Sequence, residues 1–127
     1  MDMKNIGKTC LVVDDNHDNL MAMEYFLPVY FGMEAVCLDS GHKALEYLSQ
    51  HKPDVILMDW KMPGLDGVET LDEMNRRMPS HPPVILCTAM SEKSEIEGAI
   101  QHGFDGLLLK PFDEISLEAC FATALKH

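Results

Sequence analysis

Val55-Ile56-Leu57-Met58-Asp59 decides the architecture: four apolar residues in a row, then an acid. A short unbroken apolar run, preceded by Pro53 and followed by Pro63 and Gly64, reads as a strand buried on both faces, as the strands of parallel sheets are. The pattern recurs outward from it. Cys10 to Val13 precedes Asp14 and Asp15, Val84 to Cys87 precedes Thr88, and Leu107 to Leu109 precedes Lys110. Parallel strands deliver their C-terminal residues to one edge of the sheet, so these five polar residues are expected to converge. Three carboxylates, a hydroxyl and an ammonium in one place suit a divalent cation and a phosphoryl group, because the carboxylates need a counter-charge of the kind Mg2+ and a lysine supply.

Strand and helix patterns alternate along the whole chain. Strands are expected near residues 9–13, 34–38, 54–58, 83–87 and 106–109, and helices near 16–29, 41–50, 66–77, 92–102 and 113–125. Each helix carries apolar residues at helical spacing: Met23 and Leu27; Ala44, Leu45 and Leu48; Val68, Leu71 and Met74; Ile96, Ala99 and Ile100; Leu117, Phe121 and Leu125. Gly32, Pro53, Pro79 and Gly103 mark stops after the first four. Five such units joined by right-handed crossovers give a doubly wound α/β sandwich whose ligands bind at the strand C-termini.

At 127 residues the chain fits one domain, expected to span 1–127. A formal charge of −11 without a basic stripe argues against direct binding of nucleic acid. The four cysteines, Cys10, Cys37, Cys87 and Cys120, show neither a CxxC pair nor zinc spacing, so they read as reduced core or helix-face thiols. Met1 to Lys8 lacks the apolar stretch of a signal peptide, and no run approaches the ~20 apolar residues of a membrane helix, so a cytoplasmic location without membrane contact is expected.

Several segments, taken together in order and spacing, resemble the receiver domain of bacterial two-component response regulators, nearly end to end. They are Val12-Val13-Asp14-Asp15-Asn16; Pro53 through Asp59 to Trp60-Lys61-Met62-Pro63-Gly64-Leu65-Asp66-Gly67; Cys87-Thr88-Ala89; Gly103; and Leu109-Lys110-Pro111-Phe112. The resemblance implies a flavodoxin-like (βα)5 fold with strand order 2-1-3-4-5. It also implies a switch in which Asp59 accepts a phosphoryl group from a phosphohistidine of a sensor histidine kinase or histidine phosphotransfer protein. Such a protein is not an enzyme toward other substrates; it catalyses its own phosphoryl transfer and dephosphorylation, and its altered surface acts on a downstream target or effector domain.

By the same resemblance Asp15 is a direct Mg2+ ligand and Asp14 acts through a water, while Asp59 and the backbone carbonyl of Lys61 complete the protein's share of the metal shell. Thr88 and Lys110 take the opposite side of the phosphoryl group, where a hydroxyl and an ammonium each donate a hydrogen bond. Before phosphorylation Lys110 is expected to pair with Asp59, and Lys110-Pro111 resembles the family's lysine followed by a cis-proline.

The chain departs from the family three positions before the lysine, where many receivers carry an aromatic switch residue and this one has Leu107. With Ile115, Ala119 and Ala122, Leu107 is a candidate apolar patch for a partner or for a homodimer. Lys61 and Met90 stand where receivers tune the lifetime of the phosphoryl group; neither orients an attacking water, so slow self-dephosphorylation is expected. Trp60, next to Asp59, is a candidate optical reporter. The six histidines (His17, His42, His51, His81, His102 and His127) fall at expected helix ends or loops and read as surface residues.

Three other readings compete. A Mg2+-dependent aspartyl-phosphate hydrolase typically needs a second acid two positions after the nucleophile, where this chain has Lys61. A receiver-shaped interaction module that is never phosphorylated has no need of all five polar residues. A flavodoxin-type FMN carrier needs a Ser/Thr/Gly-rich phosphate loop where Asp14 and Asp15 stand.

Overall fold

A computed structural model describes residues 7–89 and 92–125. In chain order the elements are β1 (Thr9–Val13), α1 (His17–Phe31), β2 (Glu34–Leu38), α2 (Gly41–Leu48), β3 (Val55–Asp59), α3 (Gly67–Arg77), β4 (Val84–Thr88), α4 (Lys93–Ile100), β5 (Gly106–Leu109) and α5 (Glu114–Leu125). The five strands pair in parallel in the order β2-β1-β3-β4-β5, the flavodoxin-like arrangement expected from the sequence. Strand order reverses between β1 and β3, which places the crevice of the switch point at their C-terminal ends.

Alternation along the strands divides the core in two. Leu11, Val13, Ile56, Met58 and Leu86 face Ala44, Leu45, Leu71, Met74 and Ala99 from α2, α3 and α4. Cys10, Val12, Leu57, Ile85 and Leu108 face Leu20, Met23, Leu27, Leu117 and Phe121 from α1 and α5. β3 and β4 are buried along their full lengths, which explains why they read as unbroken apolar runs.

Helix starts follow local chemistry. Asn16 and Ser40 accept from the backbone N–H groups of Asn19 and Lys43, and Asp66 with Glu69 forms a reciprocal capping box at 2.8 and 3.0 Å. Gly32, at φ 67°, ends α1 in the left-handed conformation.

Three expectations need adjustment. Helix α1 runs to Phe31 rather than residue 29, with Pro28 inside its last turn. That proline costs one intrahelical hydrogen bond on an exposed face. In exchange the final turn seats Phe31, 1% exposed, edge-on against Phe121 at 5.2 Å. On α4 only Ala99 is buried; Ile96 is half-buried and Ile100 is 40% exposed, so this helix covers the sheet with less apolar area than its sequence suggests. Strands β3 and β4 each extend one residue further than expected, taking in Asp59 and Thr88 as their last residues.

The four cysteines are unpaired thiols, and burial raises the pKa of each of them. Among the described residues no helix is long and apolar enough to cross a membrane.

Candidate functional site

Asp14 leaves the end of β1 buried at 5% exposure, its backbone N–H donating to Leu38 O at 3.1 Å, while the next residue, Asp15, is exposed. Asp59, 9% exposed, ends β3 in the neighbouring position. Oxygens of the Asp14, Asp15 and Asp59 carboxylates all lie within 4.8 Å of one another. Lys110, just past β5, bridges the two buried acids: its Nζ donates to Asp59 Oδ1 at 3.0 Å and to Asp14 Oδ2 at 3.1 Å. Thr88, 2% exposed at the end of β4, accepts the Lys110 backbone N–H through its carbonyl at 2.8 Å. The five polar residues singled out in the sequence therefore meet at the C-terminal edge of the sheet, and the Lys110–Pro111 peptide is cis as expected.

The electrostatics are unbalanced. Burial pushes the Asp59 carboxyl above its ordinary pKa; the Lys110 hydrogen bond opposes this, and the charges of Asp14 and Asp15 add to the rise. Burial works against the Lys110 ammonium, yet its hydrogen bonds to Asp59 and Asp14 outweigh that and raise its pKa. Three acids against one lysine leave a net negative cluster of hard oxygen donors. That donor set fits Mg2+, which prefers carboxylate and water oxygen in octahedral geometry.

Asn19 was not visible as a site residue. Its side-chain amide donates to Asp14 Oδ2 at 3.1 Å, and Asp14 Oδ1 accepts the Asn16 N–H at 2.9 Å. The available signal was position alone: Asn16 and Asn19 open the helix that follows the acidic pair.

The loop after β3 is fixed by close backbone approach. Gly67 N–H donates to Trp60 O at 2.7 Å, and a Cβ on Gly67 would overlap the Asp59 carbonyl oxygen. Gly64, at φ 73°, makes the turn. Lys61 is exposed, with its ammonium 4.4 Å from the centre of the Trp60 ring. The indole belongs to the core cluster on the α2, α3 and α4 side of the sheet, with Met58, Met62 and Ala99 among its members. Met90 and His127 lie outside the described residues. Of the other histidines, His102 pairs with Asp72 at 2.8 Å and His17 with Asp39 at 3.3 Å, both ring nitrogens to carboxylates.

Leu107 is half-buried, its side chain packed with the core on the α4 side, while Ile115 on α5 is 79% exposed and Ala119 and Ala122 are exposed. Leu109, two residues after Leu107 and hence on the same face of β5, is 49% exposed and belongs with this surface.

The family model of the response regulator receiver domain matches residues 10–122. The chain belongs to the response regulator receiver domain family. Receiver domains are the signalling switches of two-component systems. This one is 37% identical over 116 residues to the regulatory protein AtoC of Escherichia coli, covering 91% of this chain and 25% of that protein. It is 33% identical over 111 residues to the autoinducer 2 sensor kinase/phosphatase LuxQ of Vibrio parahaemolyticus, covering 87% of this chain and 13% of that one. The receiver thus spans a quarter or less of the length of these relatives. Among solved structures it resembles the receiver domain of the sensor histidine kinase PA1611 from Pseudomonas aeruginosa, which holds a magnesium ion in its active-site cleft. The TM-score is 0.85 at 27% identity, covering 95% of this chain and 99% of that one.

Proposed function

We propose that this receiver is switched by phosphorylation of Asp59, with a phosphohistidine of a sensor kinase or histidine phosphotransfer protein as donor. The observation that carries the reading is the geometry around Asp59: a buried carboxylate at the switch point, hydrogen-bonded to Lys110 at 3.0 Å, with Asp14 and Asp15 within 4.8 Å. In the transfer an Asp59 oxygen attacks phosphorus, the phosphorus–nitrogen bond of the donor breaks, and the imidazole departs as an acyl phosphate forms.

Asp15, Asp14, Asp59 and the carbonyl of Lys61 would hold Mg2+, Asp14 through a water. Bound there, the ion supplies the positive charge that offsets the negative charge gathering on the carboxylate and phosphoryl oxygens. Lys110 then exchanges its Asp59 partner for a phosphoryl oxygen while keeping Asp14. The Thr88 hydroxyl donates a second hydrogen bond from the end of β4, on the same sheet edge. A movement of Thr88 is passed on to α4, the least anchored helix among the described residues, with one buried residue and no side-chain cap.

The output surface is the α4–β5–α5 face carrying Leu107, Leu109 and Ile115, which serves a downstream partner or a second copy of the chain. With Leu107 in place of a ring, the response is a repacking of a half-buried aliphatic side chain. The whole assembly is expected to act in the cytoplasm, as one domain over 1–127 that turns over no other substrate.

Trp60 fluorescence tests the reading. The Trp60 N–H donates to Cys87 O at 3.1 Å and its carbonyl accepts from Gly67, so a change at Asp59 reaches the indole beneath Lys61 through the backbone. Emission should change on adding Mg2+ and again on adding acetyl phosphate. Asp59→Asn should abolish the second change; an unaltered second change in that variant would refute the assignment of Asp59.

A further inference from the structure

Continuous with the acidic cluster, and sharing Asp14, Asp59 and Lys110 with it, lies a cavity of about 460 Å³ whose apolar walls have no part in the phosphoryl chemistry. It opens between α1 and the segment after β5, and its walls are Ala22, Met23, Phe26, Leu57, Cys87 and Phe112. Its remaining lining includes the polar groups Asp14, Asn19, Asp59 and Lys110, which hydrogen bonds join into one cluster at one end. The volume equals roughly fifteen waters at ~30 Å³ each and falls within the usual range of ligand pockets. A half-open, mostly apolar cleft with its polar groups gathered at one end has the shape of an amphiphile site.

The charge at that end selects the head group. Asp14 and Asp59 outnumber Lys110, and Asp15 stands within 4.8 Å of both acids. A carboxylate or phosphate head would face net repulsion whenever Mg2+ is absent, whereas a cation is attracted. The two phenylalanine side chains in the wall favour an aromatic body. The Cys87 thiol in the wall is held far above its ordinary pKa by burial, so it offers no thiolate and the binding is noncovalent.

We infer that this cavity is a binding site for a small aromatic amine, whose ring enters between Phe26 and Phe112 and whose ammonium meets Asp14 and Asp59. The amine and Mg2+ then compete for the same carboxylates, so occupancy of the cavity holds the switch in its metal-free form. This competition rests on the metal site proposed above; the cavity and its charge do not.

The test uses 2-(1-naphthyl)ethylamine as the probe, with 2-(1-naphthyl)ethanol as its uncharged counterpart, on divalent-free protein carrying ¹³C-methyl methionine. The Met23 methyl signal should shift with a Kd on the order of 1 mM or tighter. The Met21 signal, 68% exposed on the same helix but outside the cavity, should stay in place. The alcohol should bind at least about tenfold more weakly than the amine. Ala22→Phe, a change at an exposed position that fills the cavity mouth, should weaken the amine at least about tenfold while leaving Mg2+ affinity within about twofold. Saturating Mg2+ should weaken the amine to a similar degree.

Equal binding of amine and alcohol, no shift at Met23, or amine binding indifferent to Ala22→Phe would each overturn the inference. Mg2+ titration and Asp59 phosphorylation of amine-free protein are read separately. If Mg2+ fails to bind there, the proposed metal site falls, and the amine and alcohol arms still decide the cavity.

Discussion

Asp59→Asn should stabilise the metal-free protein. Asp14 and Asp15 each bring a carboxylate oxygen to within 4.8 Å of Asp59, and at an effective dielectric of about 20 each pair repels by about 3.5 kcal/mol. Lys110 at 3.0 Å returns about 5.5 kcal/mol on the same scale. Repulsion exceeds attraction by about 1.5 kcal/mol, before any cost of burying the charge. A neutral asparagine removes that excess and retains a hydrogen-bonding side chain, so a gain of about 1 to 2 kcal/mol is expected, or about 4 to 8 °C in Tm for a domain of this size. Urea unfolding in EDTA measures it.

The pH dependence has a definite sign. Because the folded-state pKa of Asp59 is raised, the folded protein binds a proton that the unfolded chain has already released between the ordinary carboxylate value and the raised one. The stability owed to this group is present at low pH and is lost as pH rises through the folded pKa. The advantage of Asp59→Asn should therefore shrink as pH falls through that window. Mg2+ should also shrink it, since at ten times its Kd the ion adds about 1.4 kcal/mol to the native protein alone. A variant that is less stable than the native protein in EDTA, or a Mg2+ effect equal in both, would refute the reasoning.

Lys110→Ala removes a cation that touches two buried carboxylates; a loss of about 2 kcal/mol is expected at pH 7, recovered in part by Mg2+, by denaturant titration. Gly67→Ala forces a methyl into the Asp59 carbonyl oxygen and should cost about 1 to 3 kcal/mol and weaken Mg2+ binding, read by calorimetry. Lys61, turned onto Trp60, offers no group to orient an attacking water, so the purified phosphoprotein should decay over minutes or longer; decay within seconds by intact mass would contradict that.

Much of this site is legible in the sequence because parallel strands convert chain order into position. An apolar run followed by a polar residue states both that the residue sits at the sheet edge and which edge it is, and that logic places Asp14, Asp59, Thr88 and Lys110 without a structure. The strand order came instead from resemblance, since neither β2 nor β5 announces its neighbour. Periodicity failed on α4, where Ile96 and Ile100 have helical spacing yet only Ala99 reaches the core. It also failed at Pro28, where the packing of Phe31 on Phe121 carries the helix through a residue that usually ends one. Asn19 and the cavity beside it depend on how α1 leans on the sheet, and no linear pattern records that.

The most direct measurement is intact mass after incubation with acetyl phosphate, with and without Mg2+. The account predicts a single added phosphoryl group that requires Mg2+, is absent from Asp59→Asn and maps to the peptide containing Asp59. No added mass in the native protein, or the same added mass in Asp59→Asn, would contradict it.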